Sequence, residues 1–307
     1  PTTQILDAPL ALDQGQGKPK WKPANYTRKF YGPSIMRVGI EKSRNLMTAR
    51  LAMAIGMPAV QDYAAKFGID ADLPPFLSMS LGAGETTLLR LTAAYGQLVN
   101  GGRKIDVSLI DRIQDRYGRT ILRHDKRECT ACVTDKGWQA QPIPELAETR
   151  EQLTDPASAY QMVSMLEGVI SRGTGRRIAD SGLVLAGKTG TTNDNTNAWF
   201  IGFSPDLVAG VYVGYDVPRP LGKIEGGSTA ALPIFKDFMM DALVDAPAIP
   251  FRRPGGISLV PVHAETGERV RHDDEMAVLE VFKPGQRPKS GILIDLPDDG
   301  AGSSASA

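Results

Sequence analysis

The sequence predicts an α+β fold, with helices first, an antiparallel sheet after them and one helix returning over the sheet. Apolar residues recur at helical spacing within residues 33–99 and again within 155–172. Short apolar segments separated by turn residues follow within 183–215, and helical spacing returns at 230–244. Strands that are neighbours in sequence, instead of alternating with helices, are typical of antiparallel pairing in α+β folds.

Four stretches have the apolar spacing and the ends of helices. Residues 33–56 suit helices with a break near Ser43. Residues 58–68 suit a helix with proline in its first turn and glycine at its end, and 86–99 suit one that two glycines terminate. The fourth stretch, 155–172, begins with an aspartate cap followed by proline and stops before a glycine.

Other stretches have the shorter period and the turn residues of strands. Residues 105–124 predict a hairpin around an Asp-Arg-Tyr-Gly turn, and 183–187 form a short apolar strand. Residues 197–203 and 207–215 predict two strands joined by a tight Ser-Pro-Asp turn. Short strands are also expected within 257–282. The central sheet therefore has two or three antiparallel strands.

Composition shifts divide the chain into four parts. Residues 1–33 are rich in proline, glycine, lysine and glutamine with little periodicity, so we expect an irregular surface segment outside the core. Residues 34–246 form the main domain, with an insert at about 105–150. Residues 247–283 are expected to form a short β-rich extension, and 284–307 a flexible tail because they end in small and polar residues.

Charge and hydropathy argue against two function classes. Of 307 residues 42% are apolar, and 35 Lys and Arg residues balance 35 Asp and Glu residues, so no net field attracts nucleic acid. We therefore expect no nucleic-acid partner. No apolar stretch approaches the ~20 residues that cross a bilayer. The chain begins at Pro1 without a signal peptide, and we expect a processed piece of a longer protein.

The two cysteines, Cys129 and Cys132, allow three interpretations. A zinc site needs two further ligands at suitable spacing, and only His124 is near. A redox site prefers a strand-to-helix junction, whereas this segment is polar and charged. We favour a local disulfide in an oxidising compartment.

Two short motifs, Ser43-Arg44-Asn45 and Lys188-Thr189-Gly190-Thr191, suggest acyl transfer. A serine nucleophile needs a nearby base and a preorganised oxyanion site. A lysine at a strand edge can present its ammonium group to a peptide carboxylate, and Thr189 and Thr191 can add hydroxyls. Gly190 leaves room for a substrate backbone, so an extended peptide could lie along this edge as an added strand.

Ordinary structural roles explain the same residues. Ser43 could cap a helix and Asn45 could occupy a turn. Lys188 could be a solvated lysine, with Thr189 and Thr191 as simple strand formers. The Arg-Gly-Thr-Gly run at 172–175 follows a helix instead of opening one, which argues against a nucleotide site.

A family resemblance decides between these interpretations. The chain resembles the transpeptidase domain of class A penicillin-binding proteins, the bifunctional kind, and within them the 1A type. The resemblance spans about residues 25–282, so the main domain at 34–246 is identified as the C-terminal part of a transpeptidase domain. The matching stretches occur in the family's order: NY at 25–26, YGP at 31–33, EKSRN at 41–45, LGAGE at 81–85, NGG at 100–102, RGTG at 172–175, GKTGTT at 187–192, AWFIGF at 198–203, GG at 226–227 and AALPIF at 230–235.

The resemblance implies a penicillin-binding transpeptidase or serine β-lactamase-like fold and a DD-transpeptidase that acts on D-Ala-D-Ala stem peptides and is acylated by β-lactams. It implies that Ser43 relays a proton, that Asn45 orients the substrate amide and that Lys188, Thr189 and Thr191 hold the carboxylate, with the Thr191 N–H as an oxyanion donor. It implies no metal and no cofactor. It also implies a membrane-anchored parent at the periplasmic face of the cytoplasmic membrane, with a glycosyltransferase domain.

The sequence departs from the family in one respect, since no serine in it has a lysine three positions later. In the family that motif carries the acylated serine and precedes Ser-x-Asn, so we expect the nucleophile in a segment upstream of Pro1. A β-lactamase, a DD-carboxypeptidase and a catalytically inactive β-lactam sensor or scaffold stay open as alternatives. The insert at 105–150 favours the transpeptidase over the two hydrolases.

Overall fold

The computed structural model describes residues 1–13, 19–127, 129, 146–288 and 293–294, and it has the predicted α+β architecture. Among these residues no helix is both long and apolar enough to span a bilayer. Each predicted helical stretch contains helix, and the predicted break at Ser43 separates the first two. The helices are α1 Met36–Glu41, α2 Asn45–Ile55, α3 Met57–Lys66, α4 Leu88–Val99, α5 Pro156–Ser171 and α6 Leu232–Ala242.

Among the described residues the strands form two three-stranded sheets, one of them the central sheet, and two two-stranded pairs. They are β1 Gln4–Asp7, β2 Gly32–Ile35, β3 Arg112–Gln114, β4 Thr120–Arg123, β5 Ala186–Thr191, β6 Asn197–Phe203, β7 Val208–Gly214, β8 Ser258–His263, β9 Ala277–Phe282 and β10 Leu293–Ile294. The central sheet has the order β5-β6-β7 and is antiparallel throughout. Within the described residues β5 pairs with β6 alone, which leaves one edge of β5 open.

Helices cover both faces of the central sheet. On one face α6 packs Phe235 against Phe200 of β6, with ring centroids 4.7 Å apart. On the other face α5 packs Leu166 and Val169 near Phe203. Each buried aromatic side chain removes a large apolar area from water, which makes this layered core the main stabilising element around β5.

The helix ends follow local chemistry that the sequence reveals. Asp155 caps α5, since its carboxylate accepts a 3.0 Å hydrogen bond from the Ser158 N–H, and proline occupies the first helical turn. The predicted hairpin within 105–124 is present as β3 and β4, which are shorter than the segment that predicted them. Gly118 adopts a φ of 80° in its turn, a conformation that glycine allows at low cost.

The prediction that residues 1–33 form an irregular surface segment outside the core is wrong. Strand β1 lies between β2 and β10 in a three-stranded sheet, and Ile5 on it is only 1% exposed. Asp7 is also buried, and the Asn25 amide offsets part of the cost by donating to both of its carboxylate oxygens at 2.8 and 3.0 Å. The segment shows no apolar period because its burial comes from pairing with distant residues.

Two further predictions need correction. Leu293–Ile294, inside the predicted flexible tail at 284–307, form β10 and pair in parallel with β1. The apolar strand predicted at 183–187 instead begins at Ala186 and runs to Thr191, so the Lys-Thr-Gly-Thr run lies within the strand and not after it. The first and last residues of this strand are set by its backbone pairing with β6. Side-chain hydropathy does not report that pairing.

Cys129 is disulfide-bonded, as the favoured interpretation of the two cysteines expects. Cys132, the other cysteine of the sequence, lies outside the described residues.

Candidate active site

Lys188 and Ser43 meet at the open edge of the central sheet. The Lys188 ammonium group donates a 2.7 Å hydrogen bond to the Ser43 hydroxyl and a 3.1 Å bond to the backbone carbonyl of Thr189. Lys188 lies on β5, whereas Ser43 lies in the turn between α1 and α2. The fold therefore brings together the two motifs that the sequence analysis singled out.

The backbone of Ser43 is left-handed, with a φ of 55°. Left-handed backbone is uncommon for a residue with a Cβ and costs on the order of 1–3 kcal/mol. Two hydrogen bonds hold the turn, from the N–H of Ser43 to the Ile40 carbonyl at 3.2 Å and from the N–H of Arg44 to the Gly39 carbonyl at 2.8 Å. A strained residue at the sheet edge is a feature that often accompanies a functional site.

Burial of the Lys188 ammonium group lowers its pKa from 10.5 to about 8. Desolvation disfavours the charged form. Lys188 is still mostly protonated at neutral pH, but its proton is lost far more easily than that of a solvated lysine. The site thus provides a cation that can attract a carboxylate and also take part in proton transfer.

The two threonine hydroxyls of the motif each have a defined partner. The hydroxyls of Thr189 and Thr174 lie 2.8 Å apart. The Thr191 hydroxyl oxygen accepts a 2.9 Å hydrogen bond from the Gly227 N–H, so its own proton stays available for donation. A Cβ on Gly227 would lie 2.7 Å from the Gly190 carbonyl oxygen. Glycine is therefore required at position 227 for its backbone to pack this closely against β5.

Asn45 is held differently from the other motif residues. It is the first residue of α2, and its amide donates a 2.8 Å hydrogen bond to the Ala24 carbonyl. This is its one side-chain hydrogen bond among the described residues. Asn45 lies two residues after Ser43, and its described hydrogen bond goes to Ala24 and not to Lys188.

Gly190 was predicted to leave room for a substrate backbone. The structure shows a second reason for glycine at this position. Gly190 pairs with Trp199 of β6, and a Cβ on it would lie only 3.0 Å from the Trp199 Cβ. Cross-strand packing alone therefore favours glycine at this position.

The sequence analysis missed three residues around the site, namely Glu41, Arg172 and Thr174. The Arg172 guanidinium donates a 2.5 Å hydrogen bond to the buried Glu41 carboxylate. The Thr174 hydroxyl contacts Thr189, as described above. Their signal was present in the EKSRN and RGTG stretches, which carried the resemblance but received no individual roles.

The residues that the structure describes contain no group of three or more His, Cys, Asp or Glu side chains that could hold a metal ion. The polar groups converging on β5 are instead an ammonium group and hydroxyls. Such groups can bind a carboxylate and transfer protons.

A family model described as the penicillin-binding protein transpeptidase domain matches residues 3–240 of this chain. Penicillin-binding protein 1A of Rickettsia bellii (strain RML369-C) is 46% identical over 284 residues, covering 92% of this chain and 36% of that protein. Penicillin-binding protein 1A of Neisseria meningitidis serogroup B (strain ATCC BAA-335 / MC58) is 37% identical over 259 residues, covering 83% and 30%. The chain therefore spans less than half the length of these curated relatives.

The fold is also similar to a solved structure. The 2.6 Å crystal structure of penicillin-binding protein 1A from Haemophilus influenzae superposes with a TM-score of 0.79 at 28% sequence identity, covering 94% of this chain and 45% of that one. The superposition thus covers nearly the whole length of this chain.

Proposed function

This chain belongs to the penicillin-binding protein transpeptidase family, and we propose that it forms the substrate-holding part of a serine-type peptidoglycan DD-transpeptidase. The observation that carries the proposal is the 2.7 Å contact between the Lys188 ammonium group and the Ser43 hydroxyl at the open edge of β5. The resemblance to 1A-type proteins stated from the sequence agrees with the relatives of that name.

The donor substrate is a stem peptide ending in D-Ala-D-Ala, lying extended along the open edge of β5. The Lys188 ammonium group and the Thr189 and Thr191 hydroxyls bind its terminal carboxylate, since they supply one positive charge and two donors. Asn45 orients the substrate amide. A peptide added as a strand uses the unpaired backbone groups of β5, which fits the open edge observed here.

The chemistry is acyl transfer in two steps. A serine hydroxyl oxygen attacks the carbonyl carbon of the penultimate D-Ala and gives up its proton, the peptide C–N bond breaks, and a proton passes through Ser43 to the leaving amine. The amine of a neighbouring stem peptide then attacks the ester carbonyl carbon and loses a proton, the ester C–O bond breaks, and a proton returns to the serine oxygen. The Thr191 N–H and the N–H of the nucleophile stabilise the oxyanion in each step.

The acylated serine is supplied by residues outside these 307, because no Ser-x-x-Lys occurs among them. β-Lactams acylate the same serine. We call this chain together with a preceding segment that carries Ser-x-x-Lys the completed domain. In the full protein we propose a membrane anchor, a glycosyltransferase domain and a location at the periplasmic face of the cytoplasmic membrane.

The test is labelling of the completed domain with a fluorescent penicillin, followed by turnover measurement and by a crosslinking assay with stem peptides. Stable labelling together with new crosslinks is the expected result. Rapid release of the label would indicate a β-lactamase, and release of D-Ala without crosslinks a DD-carboxypeptidase. Stable labelling without action on stem peptides would indicate a sensor, and no labelling a scaffold.

A further inference from the structure

Two chain segments that are distant in sequence are locked together just behind β5. We call them the clamp: residues 41–42 at the end of α1, and residues 172–174 after α5. The Glu41 carboxylate accepts hydrogen bonds from Arg172 Nη2 at 2.5 Å and Nε at 3.3 Å. Glu41 is only 3% exposed, so this ion pair is shielded from water and salt on the glutamate side.

Backbone contacts reinforce the clamp. The Thr174 N–H donates to the Glu41 carbonyl at 3.1 Å, and the Lys42 ammonium group donates to the Arg172 carbonyl at 2.5 Å. Glycine makes this approach possible, because a Cβ on Gly173 would lie 2.2 Å from the Glu41 carbonyl oxygen. The two segments therefore approach to backbone contact, and neither can shift without breaking several bonds.

Each half of the clamp leads directly to a hydroxyl that contacts β5. Ser43 follows Lys42 and accepts the hydrogen bond of Lys188 at 2.7 Å. Thr174 completes the other half and contacts the Thr189 hydroxyl at 2.8 Å. Lys188 and Thr189 are neighbours on β5. One contacts the Ser43 hydroxyl, next to the first half of the clamp, and the other contacts the Thr174 hydroxyl in the second half.

We propose that Glu41 and Arg172 are positioning residues of the active site, whose ion pair fixes the Ser43 and Thr174 hydroxyls against Lys188 and Thr189. The inference rests on the proposed function and deepens it. Neither residue contacts substrate. Thr174 sets the orientation of the Thr189 hydroxyl, because a hydroxyl engaged by a neighbour 2.8 Å away has fewer free rotations.

A second arm of the same network offers an internal control. Arg37 donates to Glu280 at 2.5 and 2.6 Å and to Glu41 at 3.3 Å, and Glu280 lies on β9, with none of its bonds reaching β5. Glu280 is fully buried, whereas the Arg172 side chain is 37% exposed. A purely structural role therefore predicts more damage from loss of the Glu280 charge than from loss of Arg172.

The experiment compares Arg172→Gln with Glu280→Gln in the completed domain, measuring the penicillin acylation rate and the thermal midpoint of each. If the ion pair positions the two hydroxyls, Arg172→Gln is expected to slow acylation by about tenfold or more with little change in the thermal midpoint. The reason is that a small displacement of groups at a reacting centre lowers the reaction rate strongly. The same role predicts that Glu280→Gln lowers the midpoint and leaves the acylation rate of folded protein within about twofold. An acylation loss that follows the loss of thermal stability across both variants would overturn the proposal.

If Arg172→Gln does not fold, the variants Thr174→Val and Thr174→Ser test the positioning role instead. The valine has the same shape without the hydroxyl and is expected to slow acylation, whereas the serine restores it. Equal rates for the two variants would overturn the role of Thr174 and with it the positioning proposal.

A crystal structure of the Arg172→Gln chain separates this proposal from the proposed function. We expect the Ser43–Lys188 and Thr174–Thr189 contacts to lengthen beyond hydrogen-bonding distance. Retention of both contacts would overturn positioning, whatever the acylation assay shows. Failure of the unaltered completed domain to react with penicillin would instead count against the proposed function, while the crystallographic distances still decide the positioning role.

Discussion

The Lys188 ammonium group donates a 2.7 Å hydrogen bond to the hydroxyl of Ser43, a residue 145 positions earlier in the chain. Lys188 comes from the edge strand β5, and Ser43 from a left-handed turn between two helices. A cation and a hydroxyl held at this distance form a proton-transfer pair next to the open edge of a sheet.

Replacing Lys188 with alanine in the completed domain is expected to slow acylation by penicillin by about two orders of magnitude or more, the size typical of losing a preorganised charge contact at a reacting centre. Thr189→Val is expected to cost less, because the ammonium group remains. Lys126→Ala, at an exposed lysine of the insert, is the matched control and should react normally. An unchanged rate in folded Lys188→Ala protein would remove Lys188 from the site.

The pH dependence of stability reports the buried ammonium group. Burial lowers the pKa of Lys188 from 10.5 to about 8, so between these values the unfolded chain binds more protons and stability rises with pH. Below about pH 8 the full cost, about 3 kcal/mol, is present. Urea unfolding from pH 7 to 10.5 is expected to show Lys188→Met gaining stability over the unaltered chain at pH 7 and losing this gain as pH rises. Parallel curves for the two proteins would contradict a buried charge.

The chain by itself is expected to form no covalent adduct with benzylpenicillin. The proposed mechanism uses Ser43 to relay a proton and not to attack, and the Lys188 beside it is mostly protonated at neutral pH and donates to its oxygen. Intact mass spectrometry after exposure to the drug measures this. The completed domain should gain the mass of one drug molecule, with the label on the added segment. An adduct mapped to Ser43 of the isolated chain would overturn the role given to that residue.

Arg37→Met is expected to destabilise the chain by about 3–5 kcal/mol, because it leaves the Glu280 carboxylate buried without its partner. Urea denaturation at neutral pH measures the change. Arg271→Met breaks the exposed pair with Asp273 and serves as the control, with no measurable change expected. A similar loss of unfolding free energy in the two variants would show that burial does not make the Arg37–Glu280 pair more stabilising than an exposed pair.

Gly173→Ala is expected to destabilise the chain by about 1–3 kcal/mol, since the added methyl group would meet the Glu41 carbonyl oxygen at 2.2 Å. Gly255→Ala is the matched control, because a Cβ there has no atom within 4 Å. Thermal unfolding of both variants provides the comparison. A Gly173→Ala chain as stable as the control would mean that the two halves of the clamp can separate without cost.

The helices were predictable because their signals are local. Asp155 and the proline after it mark the start of α5, and the apolar spacing that follows marks its buried face. The break at Ser43 was also visible, since the helical pattern fails there. The strands β6 and β7 were found within one residue for the same reason, as a Ser-Pro-Asp turn separates two apolar runs. Motifs with a family resemblance then identified Ser43 and Lys188 as candidates.

The sequence by itself therefore determined the helices, the strands β6 and β7, the fold class and the two motifs. Only the tertiary structure decided that Gln4–Asp7 form a buried strand, that Lys188 lies inside β5 and that Thr174 meets Thr189. The physical reason is that each of these depends on a partner far along the chain. Backbone pairing and ion pairs such as Glu41–Arg172 leave no periodic pattern in the residues that make them.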